Sequence, residues 1–199
     1  MEYALFRFTR SASGGNNSKK DIENNKNIKY FGKITKGWCG FSSEFKIKIP
    51  CFDKEVEIFL GWEWDDDGEE IETPPTEDEL NEYENTLKKF LENIDVVTDS
   101  IKEKAFDYYN RIYAKYYEKE FVVESFFETD VERGKTHEPL NMDTKEKHFE
   151  YMKNINYIRI LRDKKIIIPI FYKLDREHGL EIMLQENTVV NIDGIGENY

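Results

Sequence analysis

The one stretch with acid–base potential is Asp175-Arg176-Glu177-His178, followed by Gly179. A carboxylate beside an imidazole can orient the ring and sharpen it as a general base. A hairpin turn calls for the same polar residues, with a glycine free to take positive φ. A clean strand pattern follows at once, so Asp175, Glu177, His178 and Gly179 are expected to form a turn. An enzyme built on the same residues is one alternative, and a structural or regulatory domain without a charged partner is another. His137 and His148 stand apart from this cluster, His137 in a polar loop and His148 on a short helix. His148 is expected at the surface or half-buried. None of the three histidines falls in an HxH, HExxH or Cys/His spacing, so no zinc site is expected. There is no G-x-S-x-G elbow and no P-loop, and no catalytic residue or cofactor is assigned.

Glu55 to Leu87 carries 14 acidic side chains and no Lys or Arg, within a chain of net charge −12. Its densest part runs from Glu63 to Glu72. An EF-hand frame starting at Glu63 places Asp65, Asp67 and Gly68 well, but Pro74 falls where a bidentate Glu is required. No metal is therefore assigned. Two readings remain, a solvated acidic loop and a recognition surface. Trp62 and Trp64 flank the acids, and aromatic anchors beside charge are typical of protein interfaces. The candidate partner-binding residues are Trp62, Trp64, Asp65, Asp66, Asp67, Glu69 and Glu70, exposed because unpaired buried carboxylates cost several kcal/mol each. Such a field repels nucleic acid and steers basic proteins, so a basic protein is the expected partner.

Cys39 and Cys51 do not make a disulfide scaffold in a chain of 199 residues and are expected to be two buried, reduced thiols. No apolar run approaches the roughly 20 residues that span a bilayer. The Lys-, Asn- and Ile-rich usage has the look of an AT-rich bacterial genome. A cytoplasmic protein without membrane contact is expected, and oligomeric state is left open.

These residues must be positioned by strands and helices. Met1 to Thr9 could form a strand, and residues 11–27, rich in Gly, Ser, Asn and Lys, are expected to be a mobile loop. Glu44 to Ile49 and Val56 to Leu60 alternate apolar and charged residues around a turn at Pro50 to Lys54, which predicts an antiparallel hairpin with one wet face. Thr76-Glu77-Asp78-Glu79 is a capping box opening a helix with Leu80, Tyr83, Leu87, Phe90, Leu91 and Ile94 in phase. A second helix is predicted over about Thr98 to Lys119, with Ile112 buried. Phe121 to Phe127 predicts a short strand. Asp143 to Glu146 caps a short helix, and four strands follow at Ile155–Leu161, Ile166–Tyr172, Leu180–Gln185 and Thr188–Ile192. Pro169 is expected at an edge or bulge. Strands, helices, strands predicts an α+β fold in one domain over 1–199, with a compact core over 28–192. In it a central helix pair packs on one face of an antiparallel sheet built from both strand groups.

Leu174-Asp175-Arg176-Glu177-His178-Gly179-Leu180-Glu181-Ile182, then Val189-Val190-Asn191-Ile192, resembles the last hairpin of a group of uncharacterised bacterial domains, aromatic-Asp-x-Glu-His-Gly-Leu-Gly. Leu174 and Glu181 depart from that pattern. The order of two strands, an acidic loop and a helix pair ending in Tyr-Tyr is similar too. Some of these domains look like immunity proteins of toxin systems. The resemblance implies an immunity protein, and with the acidic stretch a non-enzymatic binding protein that masks a basic toxin domain is expected. It carries no catalytic residue.

Overall fold

Alternation of apolar and charged residues sets the strands. The structure, a computed structural model, describes residues 9–10 (backbone only), 30–52, 54–123 and 133–196. The loop expected over 11–27 lies outside these residues, as does the expected N-terminal strand apart from Thr9, which with Arg10 forms β1 (Thr9–Arg10). β2 (Ile34–Gly37) and β3 (Gly40–Ser43) make a hairpin whose turn is Trp38-Cys39. β4 (Phe45–Lys48) resumes β3 after a break, and both pair antiparallel with β5 (Glu55–Leu60). Ser43 fills the break, its Oγ donating to the Phe31 carbonyl at 2.9 Å and accepting from the Phe45 N–H at 2.9 Å. Ile47 stands opposite Val56 and Lys48 opposite Glu55, the hairpin the alternation predicts.

α1 (Glu77–Glu92) starts at the predicted capping box: Glu79 N–H donates to Thr76 Oγ1 at 3.3 Å, and Thr76 N–H to Glu79 Oε2 at 2.8 Å. It buries Tyr83, Leu87, Phe90 and Leu91. Asn93 closes this helix and opens α2 (Ile94–Ile112), while its side-chain amide donates to the Lys89 carbonyl at 2.8 Å. The second helix thus begins before Thr98, because Ile94 and Val97 are buried and outweigh the weak helix preference of a β-branched pair. It also breaks at Tyr113, leaving α3 (Ala114–Tyr117) as a separate turn. Ile112, at that break, is half-buried and not in the core as expected.

β6 (Phe121–Val122) and β7 (Thr136–His137) form a small ladder of their own, and α4 (Lys145–Phe149) is capped by Thr144. β8 (Tyr157–Leu161), β9 (Lys165–Ile170), β10 (Leu180–Gln185) and β11 (Thr188–Asp193) pair antiparallel in succession. Two of their turns place both central residues at positive φ, Asp163 and Lys164 at 58° and 56°, Glu186 and Asn187 at 51° and 66°. That backbone matches the twist of the flanking strands.

The main sheet has nine strands, in the order β1-β4-β5-β8-β9-β10-β11, with β3 on β5 and β2 on β3. It is not wholly antiparallel as expected: β5 and β8 pair in parallel, Ile58 beside Ile158 and Leu60 beside Ile160. The chain leaves β5, runs through the helices and returns in the same direction, as a crossover does. The fold is α+β, a mostly antiparallel sheet with the α1–α2 pair packed against it. Ile58, Leu60, Ile158, Ile160, Ile168 and Ile182 join Leu87, Phe90, Val97, Ile101 and Tyr109 in one core.

Pro169 corrects a second expectation only in part: it sits at a one-residue register shift of the β8–β9 ladder, as a bulge does, but not at an edge. It lies in β9, an inner strand, opposite Glu181 of β10. Its carbonyl accepts from Asn156 N–H at 3.4 Å, where the β8–β9 ladder has given way to an isolated bridge at Ile155–Ile170. A residue's N–H and C=O share one side of a strand, so the missing donor faces this gap.

Candidate functional site

The acidic stretch leaves β5 at Gly61, whose φ of 76° turns the chain. It is not an irregular loop. Trp64 bridges to Glu70, and Ile71 N–H donates to the Glu63 carbonyl at 2.9 Å. Asp65 is the hub: its Oδ1 accepts from Asp67 and Glu69 N–H at 3.0 and 2.9 Å, while its carbonyl accepts from Gly68 N–H at 3.0 Å. A side-chain oxygen bonding its own turn is what favours Asp here. The carboxylates of Asp66, Asp67 and Glu69 are thus displayed on an ordered small hairpin, and all five acids from Asp65 to Glu70 are exposed.

A cation from another strand meets part of this field. Lys36 Nζ of β2 lies 2.8 Å from Glu70 and 3.0 Å from Glu72. Hydrogen bonds to Glu70 and Glu72 hold its ammonium above the usual lysine range. Both carboxylates are exposed, so the pair adds little stability.

The three tryptophans of the chain are all exposed: Trp38 at 69%, Trp62 at 40% and Trp64 at 53%. Trp38 was not singled out by sequence reasoning. Its signal was Gly37-Trp38-Cys39-Gly40 between two strands, a turn too short to hide an indole. The turn lies against the acidic hairpin, since Cys39 Sγ donates to Glu63 Oε2 at 3.3 Å and Glu63 separates Trp62 from Trp64.

Behind the turn Arg159 of β8 is buried at 4% exposure. Its Nη2 donates to the Cys39 carbonyl at 3.0 Å and its Nη1 to the Gly61 carbonyl at 2.7 Å. The guanidinium lies 5.5 Å from the Phe59 ring centre and 5.7 Å from that of Tyr157. One arginine therefore ties the Trp38 turn to the end of β5. Cys39 Sγ is 2.8 Å from Nη2, yet burial outweighs the cation and pushes the thiol up. A thiol so placed is a poor nucleophile. Burial likewise raises the Cys51 thiol, which contacts Thr98 Oγ1 at 3.1 Å.

The residues Asp175 to Gly179 form the turn between β9 and β10. Asp175 Oδ1 accepts from His178 N–H at 3.1 Å and meets His178 Nδ1 at 3.1 Å. Its Oδ2 accepts from Tyr113 Oη at 2.8 Å, and burial, then Asp175, drive the Tyr113 phenol far above its usual range. Asp175 thereby fastens the turn to the end of α2. His178 and Glu177 are exposed. Two shallow grooves, one beside Tyr108, Arg111 and Asn191 and one beside Cys51, Thr98 and Lys102, are lined by other residues than these. The acidic hairpin and the His178 turn are not brought together. The hairpin leaves β5 beside Ile160, near the C-terminal end of β8, and the turn follows the C-terminal end of antiparallel β9.

Gly179 has φ of 67°, and a Cβ there would stand 2.6 Å from Ile195 Cδ1 and 3.1 Å from the Ile170 carbonyl. The isoleucine methyl can swing aside, but the β9 carbonyl cannot. Gly179→Ala is expected to lower stability by about 1–2 kcal/mol. Urea unfolding checks this, and an unchanged midpoint would show that the turn relaxes freely.

His137 is exposed and stacks on Phe121 at 5.4 Å. His148, by contrast with its expected half-exposed place, is fully buried at 0% exposure between Phe106, Tyr109 and Tyr172. The reason is tertiary: Phe106 and Tyr109 of α2 and Tyr172, just beyond β9, close over this face of α4. Among the described residues no three His, Cys, Asp or Glu side chains group as a metal site requires, and no helix is long and apolar enough to cross a membrane. Compared with known proteins, the chain matches no family model, no curated sequence and no solved structure.

Proposed function

We propose that this protein is a non-enzymatic binding protein of the bacterial cytoplasm that neutralises a basic toxin domain, as immunity proteins do. The observation that carries the reading is the pairing of three exposed tryptophans with an ordered acidic hairpin at one end of the sheet. Carboxylates of Asp65, Asp66, Asp67, Glu69 and Glu70 steer a cationic partner, and Trp62 and Trp64 supply apolar contact at the centre of the patch. Occlusion of the partner's cleft then blocks its substrate. The resemblance of the C-terminal hairpin to immunity-like domains points the same way.

The alternative, an enzyme using Asp175, Glu177 and His178, has one observation in its favour, the 3.1 Å contact between His178 and Asp175. The same carboxylate also bonds Tyr113 and the His178 backbone, which is how a turn is braced.

The test uses the full chain and a variant with Asp65, Asp66 and Asp67 replaced by Asn and Glu69 and Glu70 by Gln. The variant is expected to unfold within about 0.5 kcal/mol of the parent, because exposed surface substitutions rarely do more. Asp65→Asn keeps an oxygen acceptor for its turn. Capture from an extract of the source bacterium is expected to retain a basic protein at low salt, to release it at high salt and to lose it with the variant. Recovery of the same proteins by both baits overturns the reading.

A further inference from the structure

We infer that Trp38 is the anchor of this surface and that the partner lays an arginine side chain on its indole. This rests on the reading above that the partner is basic. Among the described residues Trp38 is the most exposed aromatic side chain, yet it is held. Its Nε1 donates to Glu57 Oε2 at 3.3 Å, and its ring meets Phe59 and Tyr157 edge to face at 5.4 and 5.6 Å. Arg159 fixes the turn beneath it through the Cys39 carbonyl. An indole fixed before binding loses little freedom on binding, which is how a few residues come to dominate an interface.

Charge complementarity selects the occupant. Glu57, whose Oε1 also meets Lys46 Nζ at 3.2 Å, and Glu63 flank the turn, and the acidic hairpin lies beyond Glu63. Indole is the best side-chain face for a cation. Among cations, a guanidinium is planar, weakly hydrated and able to stack on a ring while its N–H groups reach carboxylates, which an ammonium cannot do together. The protein already uses this mode within itself, where the Arg159 guanidinium lies over Phe59 and Tyr157.

Nona-arginine and nona-lysine peptides, of equal charge, are the probes, titrated into the full chain at low salt by calorimetry. The parent is expected to bind the arginine peptide about three- to fivefold more tightly than the lysine peptide. Trp38→Leu is expected to remove that preference. Trp38→Phe keeps an aromatic ring and is expected to keep part of it, which serves if the leucine variant is poorly folded. The charge-neutralised hairpin variant should weaken both peptides alike and leave the preference in place. Equal binding of both peptides by the parent, or an unchanged preference in both Trp38 variants, overturns this inference while leaving a basic partner possible. Failure of the parent to bind either peptide overturns both readings. A dimer of the parent that Trp38→Leu abolishes overturns the inference too, since the indole would then serve a second copy of the chain.

Discussion

Leu87→Ala is expected to lower the free energy of unfolding by about 2–5 kcal/mol. Leu87 has 0% exposure on the buried face of α1 and belongs to the core shared with the sheet. The substitution removes apolar area from that core and leaves a cavity that packed neighbours close only in part. The same core holds large fully buried rings such as Phe90 and Tyr109, which have little freedom to collapse inward. Urea unfolding should show a lower midpoint with an unchanged slope. Ile112→Ala is the control: at a half-buried site at the end of α2 it should cost clearly less. Equal effects at the two positions would mean that α1 does not face the sheet as described.

Acidification is expected to destabilise the protein through His148. Burial pushes its imidazole down to about 4 from the ordinary 6.5. One ring nitrogen, Nε2, meets Tyr172 Oη at 2.8 Å, while among the described residues Nδ1 has no hydrogen-bond partner. A second ring proton would therefore enter a site with no acceptor for it. The unfolded chain takes up that proton near the ordinary value, so between those two pH values the unfolded state binds more protons than the native one. The stability contributed by neutral His148 is whole above the ordinary value and is lost as pH falls toward the lowered one. At about pH 4.5 the loss amounts to about 2.5 kcal/mol. Replacement by phenylalanine keeps a ring in the aromatic nest and removes the titration. Urea unfolding of the two chains at neutral and at acidic pH should show the parent losing about that much relative to His148→Phe. A constant difference between them would show that His148 stays hydrated.

The acidic hairpin and the His178 turn were both legible as surface features. Fourteen acids without a cation in one stretch cannot be packed away, and a polar tract ending in glycine before a strand has few other uses. The capping box at Thr76, the hairpin at Pro50 and the last four strands were legible for the same kind of reason, since each is written in residues close together along the chain. What the acidic stretch lacked in sequence was its order: Asp65 closing its own turn, and Lys36 arriving from β2.

Sequence by itself determined the coarse order of strands, helices and strands, the phase of α1 and the exposure of the charge, because local periodicity and the cost of burying unpaired ions act within a few residues. Only the tertiary structure decided the parallel pairing of β5 with β8, the inner place of Pro169, the burial of His148 and the role of Arg159. Each depends on a partner far along the chain: Arg159 on Cys39 and Gly61, His148 on Tyr109 and Tyr172, Ile58 on Ile158. Trp38 belongs with them. A tryptophan in a two-residue turn reads locally as an apolar residue like any other. It becomes an anchor only because Phe59, Tyr157 and a buried arginine, all distant in sequence, hold it in water.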